Sequence, residues 1–177
     1  MFKKVECNSR KGFNIRKKYR DIVAEELLYN KEINKSKEDI EDGFLYEKNS
    51  SYLALGNVSI AGITKYIFED GQSCPLIVTD ILFDELSETA KRFTILHEIG
   101  HFVNKDLENP ANFTGRDLKK ELKADEHALT EMTIEEVISS LKEYRDLIKL
   151  VSPYAYKEET YVLDETNMRI KHFEKML

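Results

Sequence analysis

His97-Glu98-Ile99-Gly100-His101 constrains the fold of this chain more than any other stretch. Histidines four positions apart meet on one face only where the backbone is helical, because residues i and i+4 then lie one above the other. Two imidazoles and a carboxylate on a buried helix need partners. A metal ion supplies them: both imidazoles converge on the ion, and the Glu after the first His stands near its open position, where it can take a proton from water. The flanks suit a buried helix. Ala90 to Leu96 contain no Pro or Gly, and Phe93, Leu96, Ile99, Gly100 and Val103 make an apolar or small face at helical spacing. Ser87 is placed to cap the N-terminus, with Glu88 in the first turn, where the helix dipole favours a carboxylate. The spacing predicts a helix from Glu88 to Val103 that carries a metal site of the zinc-hydrolase type.

A catalytic zinc usually takes three protein ligands and one water. Beyond the pentad the chain has only His127 and His172 as further histidines. A second helix is expected over Leu118 to Leu129, capped by Asp117 and rich in alanine and leucine. Glu121 and Asp125 share one face of it. One can ligate the ion while the other holds a ligand imidazole by its remaining N–H. Spacing alone leaves Glu121, Asp125 and Glu126 open as the ligand. Glu121 lies twenty positions after His101 (121 − 101), and Asn109-Pro110, Asn112 and Gly115 between them can turn the chain back.

The flanks carry a narrower likeness. A helix with H-E-x-x-H followed by one with E-x-x-x-D resembles the glutamate-ligand zinc peptidases of the thermolysin-like class. Arg92-Phe93-Thr94-Ile95-Leu96-His97-Glu98-Ile99-Gly100-His101 resembles the R-F-T-x-x-H-E-x-G-H signature of the ImmA/IrrE family of bacterial metallopeptidases. Glu121 to Ala128 resembles that family's E-x-x-A-[ND]-x-F-A segment. The likeness is close from Arg92 to about Leu129 and elsewhere extends only to general layout. His127 stands where the family usually has Phe. It has two readings, a further polar group near the site that serves as a transition-state donor, or an aromatic-sized residue packing between helices; two positions from Asp125, it faces away from the Glu121/Asp125 side, which favours packing.

The resemblance implies Zn2+ held by His97, His101 and Glu121, with Glu98 as the general base and Asp125 behind a ligand. It also implies a regulatory endopeptidase whose substrate is a protein, a helix-turn-helix repressor of a mobile element or a stress response. Two rival readings stand beside it. One is a zinc-containing module that inactivates a repressor by binding alone, for which Glu98 would be superfluous. The other is a different zinc hydrolase, such as an aminopeptidase.

Length and composition set the frame. A chain of 177 residues suits one domain, 1–177, able to bury roughly 70% of its unfolded surface. Cys7 and Cys74 form no disulfide framework, and Cys74 reads as a buried strand cysteine. Met1 to Glu6 lack the apolar core of a signal peptide, and no apolar run approaches the ~20 residues that span a bilayer. A cytoplasmic protein without membrane contact is expected. Residues 1–20 are basic, with Glu6 the lone acid, yet the net charge is −6. Ile15, Tyr19, Ile22, Val23 and Leu27 form an apolar stripe, so the basic residues read as the solvated face of a helix, with no direct nucleic-acid contact.

The remaining layout is α+β. A helix is expected over Ile15 to Tyr29; Lys31 to Asn49 is polar and carries no firm pattern, with Ser36 and Asp39 able to start a short helix. Strands are expected at Tyr52 to Leu55, Ile63 to Phe68 and Leu76 to Thr79, the last two joined by turn residues Glu69-Asp70-Gly71-Gln72. Asp80 opens a short piece to Leu86. Thr133 and Glu136 form a capping box for a helix towards Leu150, and after Ser152-Pro153 a last amphipathic segment follows. Together these predict a zincin-like fold, a small, mainly antiparallel sheet packed on helices that carry the metal ligands. An edge strand near the metal can hold an extended substrate, and the candidates are the runs at Ile63 to Phe68 and Leu76 to Thr79. His172 is expected at the surface. Tyr154, Tyr156 and Tyr161 are assigned no role.

Overall fold

The computed structural model describes residues 33–48, 60–108, 117–151 and 157–177. The expected N-terminal helix, the strand at Tyr52 to Leu55, the loop 109–116, Cys7, Tyr154, Tyr156 and the side chain of Tyr161 lie outside them. The described residues form an α+β unit. Strands β1 (Leu45–Glu47), β2 (Ala61–Ile67) and β3 (Ser73–Thr79) make a sheet in the order β1-β3-β2. Four helices follow: α1 (Glu88–Val103), α2 (Leu118–Ala128), α3 (Ile134–Val151) and α4 (Lys157–Glu174).

The hairpin forms where turn chemistry permits it. Gly71 adopts φ +81°, a conformation that L side chains rarely take, and Asp70 accepts from the Gln72 amide at 3.0 Å. β2 and β3 then pair antiparallel from Ala61↔Thr79 to Ile67↔Ser73. β1 pairs with β3 in parallel, Leu45↔Leu76 to Glu47↔Val78, so the sheet is mixed and β3 is its centre. This removes Leu76 to Thr79 as a substrate-edge candidate, because both sides of β3 are already bonded. β2 is an outer strand among the described residues, and it packs against α1. Cys74 is buried in β3, and burial pushes its thiol pKa up. Such a thiol is a packing group.

Local signals set the helix starts. Ser87 accepts from the Ala90 amide at 3.3 Å, and its own backbone N–H and hydroxyl donate to Glu143 on α3 at 2.6 and 2.7 Å. One residue thus caps α1 and ties it to α3. Asp117 caps α2 through the Lys119 amide at 2.9 Å. Thr133 and Glu136 exchange the two bonds of a capping box, 2.9 and 3.2 Å, ahead of α3. Asp80 accepts from Leu82 N–H at 2.9 Å and starts the 3-10 turn Ile81–Glu85.

α1 is the hub. Phe93 and Leu96 join Ala128, Val137, Leu141, Ile170 and Phe173 from α2, α3 and α4 in one core, while Ala90 joins Leu82, Leu86 and Ile148 in another. The expected apolar face is corrected at its end. Val103 is 55% exposed, since the helix runs past the core there. Phe102, 40% exposed, packs edge-on against Phe44 at 5.5 Å.

Gly100 explains how α2 reaches α1. A β-carbon at this position would lie 2.7 Å from the Ala124 carbonyl oxygen and 2.8 Å from its α-carbon. Those are backbone atoms and cannot turn aside. A glycine at this crossing lets α2 approach closely, and Ala124 lies between Glu121 and Asp125 in the sequence. The same approach packs the His127 β-carbon, 3.0 Å from that position, against α1. His127 is half-buried between the helices, as a packing residue should be.

Candidate metal centre

His97 and His101 stand one turn apart on α1 with their Nε2 atoms 3.1 Å apart. From α2, Glu121 turns its carboxylate to both: Oε2 is 3.4 Å from His97 Nε2, and Oε1 is 3.8 Å from His101 Nε2. The ligand atoms of these three residues all lie within 4.8 Å of one another. A tetrahedral ion with bonds of ~2.0–2.1 Å spaces its ligand atoms by roughly 3.3–3.4 Å. The three observed separations bracket that value. Two imidazoles and one carboxylate are also the donor types that suit zinc, so the residues fit a metal ion.

Behind each imidazole is a carboxylate. His97 Nδ1 is 2.7 Å from Asp125 Oδ1, and His101 Nδ1 is 2.8 Å from Asp106 Oδ2. An Nδ1–H that donates to a carboxylate leaves the Nε2 lone pair facing the site, the tautomer a metal needs. Asp125 thus occupies the supporting position that the E-x-x-x-D spacing allows. Asp106 does the same for His101, and the sequence reading did not anticipate it. Its signal is faint: Lys105, at φ +60°, bends the chain just after α1 so that Asp106 turns back. A lysine at that φ gives no warning in the sequence, whereas a glycine would.

A second residue was also missed. Arg169 of α4 is 4% exposed and reaches Asp125, which is fully buried. Its Nε donates to Asp125 Oδ2 at 2.7 Å, its Nη2 donates to Oδ1, and its Nη1 donates to Glu121 Oε2 at 3.3 Å. Glu165, one turn before on α4, has Oε1 3.8 Å from the same Nη1. The available signal was a charged pair, Glu165 and Arg169, on the inward stripe formed by Val162, Thr166, Ile170 and Phe173.

The electrostatics favour a cation. Burial opposes charge on His97, but hydrogen bonding to Asp125 and Glu121 outweighs it and pushes its pKa up to about 9. Burial would raise the Asp125 pKa, yet Arg169 and His97 hold it below the ordinary carboxylate value. Burial also opposes charge on Arg169, and Asp125 and Glu121 prevail, raising its pKa and keeping it a permanent cation. A proton on His97 in the metal-free chain therefore occupies ground that carboxylates have made attractive to positive charge. Metal binding must displace it.

Glu98 is buried beside His97 on α1. Arg92 of the sequence signature is a surface residue that donates to Glu131 at 2.9 Å. Thr94 is buried and bonds to the Ala90 carbonyl at 2.8 Å. Neither approaches the metal-ligand group by any of these bonds. His172 is partly exposed and lies 3.6 Å from Glu126.

Residues 81–160 match the family model of the IrrE N-terminal-like domain, a stretch that contains α1, α2 and all three clustered ligands. Residues 81–160 are thus a domain of the ImmA/IrrE metallopeptidase family, and that domain with its clustered ligands implies a metallopeptidase. No curated protein and no solved structure matches the chain. Among the described residues, no helix is long and apolar enough to cross a membrane.

Proposed function

We propose that the protein is a zinc-dependent endopeptidase of the cytoplasm that cuts a DNA-binding repressor at one internal bond. The observation that carries the reading is the convergence of His97, His101 and Glu121, each histidine backed by its own carboxylate. A closed structural zinc site is filled by four protein ligands, whereas three protein ligands leave a position for chemistry.

Zinc held by these residues supplies an activated water and a positive charge for the scissile carbonyl. Glu98 accepts the proton of the attacking water and later gives it to the leaving amine. Asp125 and Asp106 keep the imidazoles in one tautomer and one orientation while this happens. β2, the outer strand beside α1, is the element suited to hold an extended substrate by backbone hydrogen bonds. A folded helix cannot present its backbone in that way, so the cut falls in an exposed or locally unfolded segment between the partner's DNA-binding and oligomerisation parts.

The test is co-expression with the neighbouring open reading frame, followed by mass spectrometry of the fragments. One internal cut that vanishes with Glu98→Gln is the expected result. Progressive trimming from the partner's N-terminus would point to an aminopeptidase. An intact partner that is only bound would point to a binding module.

A further inference from the structure

Arg169 is 72 residues from His97, 48 from Glu121 and 44 from Asp125 along the chain. It also lies beyond the stretch 81–160 that carries the family match. Yet its guanidinium meets both carboxylates of α2: a two-armed contact to Asp125 and a single bond to Glu121. We propose that Arg169 is a positioning residue of the metal site, fixing Glu121 to offer one oxygen to the ion and Asp125 to hold His97. The proposal rests on His97, His101 and Glu121 being the ligands.

The orientation of the carboxylate supports it. Arg169 engages Glu121 Oε2, the oxygen 3.4 Å from His97 Nε2, and so holds the carboxylate whose Oε1 lies 3.8 Å from His101 Nε2. A glutamate side chain has several rotamers, and a bond from a buried, planar cation selects one. Asp125 is held more tightly, because a two-armed guanidinium contact fixes the plane of the carboxylate as well as its distance. Asp125 and Glu121 sit four apart on one face of α2, where a buried and a half-buried anion would repel each other and turn apart. The guanidinium between them removes that tendency.

Stability alone does not account for such a residue. The cost of desolvating a buried ion pair roughly offsets its attraction, and packed apolar side chains commonly serve a fold as well or better. The need arises from Asp125, whose carboxylate must stay ionised and correctly turned to hold His97. On this account α4 belongs to the catalytic unit, although its sequence carries no ligand motif.

Lysine separates orientation from charge. It keeps the cation, but a single ammonium cannot reproduce a two-armed contact to Asp125 together with the bond to Glu121. The experiment titrates metal-free wild type, Arg169→Lys and Arg169→Met with zinc against a chromogenic chelator. It also records the visible spectrum of each with cobalt(II), and the circular dichroism and urea midpoint of each metal-free chain. Arg169→Lys should fold, lose about 10–100-fold in zinc affinity, as removal of a partner behind a ligand typically does, and show altered cobalt bands. Arg169→Met should lose at least as much. An Arg169→Lys chain with wild-type zinc affinity and cobalt spectrum would overturn the proposal. So would failure of Arg169→Lys to fold, because the residue would then belong to the frame of the fold. If wild type itself binds no zinc, the ligand reading fails first and the proposal falls with it.

Discussion

The two histidines of α1 are chemically alike and supported in opposite ways. His97 faces inward. Its carboxylate, Asp125, is fully buried, comes from another helix and is itself gripped by Arg169 from a third. His101 faces the edge of the helical layer. Its carboxylate, Asp106, is five residues away, only partly buried and delivered by a local turn. One arm of the site is therefore built by tertiary structure and the other by local backbone geometry. The inner arm should couple metal binding to the stability of the whole unit, and the outer arm should tune binding while leaving the fold alone.

Asp125→Ala should have the largest effect of the substitutions that test this contrast. Removing Asp125 takes away the two-armed contact and leaves buried Arg169 only Glu121 at 3.3 Å and Glu165 at 3.8 Å, so the cost should approach the about 3–5 kcal/mol of a broken buried pair. Urea melts of the metal-free protein measure that loss, and zinc affinity should fall with it. A small stability change would show that the inner arm is not structural.

Gly100→Ala comes next. Its new methyl group meets backbone, so α1 and α2 must move apart, at an expected cost of about 1–3 kcal/mol. Because Glu121 rides on α2, metal binding should drop by more than the stability loss explains. Zinc affinity measured beside the melt checks this, and unchanged affinity would mean that the helix crossing does not set the ligand distance.

Asp106→Asn should lower zinc affinity by about tenfold, the low end for a partner behind a ligand, with a stability change within about 1 kcal/mol. A loss as large as that of Asp125→Ala in both measurements would abolish the distinction between the arms. Lys105→Gly should do least. Relief of the left-handed backbone, worth about 1 kcal/mol, is largely cancelled by the greater freedom of glycine in the unfolded chain. Thermal melts and zinc titration should both stay close to wild type.

The same contrast explains what could be read in the sequence. α1 was legible to the residue at both ends because its cap and its pentad are local. The pairing of Glu121 with Asp125 was legible as a shared helical face, and the family resemblance singled out Glu121. The hairpin was announced by Asp70-Gly71. Arg169 was not legible, since nothing nearby in sequence says which carboxylate an amphipathic helix will meet. Asp106 was hidden behind a lysine in a conformation that glycine would have advertised. β1 gives no signal in the sequence because it is only three residues long and one of its two inward residues is the charged Glu47, so no apolar alternation marks it. The β3 edge assignment failed for the same reason: without β1, its outer side looked open.

The central claim is that His97, His101 and Glu121 hold the metal while Glu98 serves the chemistry alone. Zinc content per chain, measured on wild type, Glu98→Gln and Glu121→Ala, with cleavage assayed on the same samples, tests it most directly. The account predicts about one zinc in wild type and in Glu98→Gln, with cleavage reduced ~10²–10⁴-fold in the latter, and strong loss of zinc in Glu121→Ala. Zinc retained by Glu121→Ala, or full cleavage by Glu98→Gln, would contradict it.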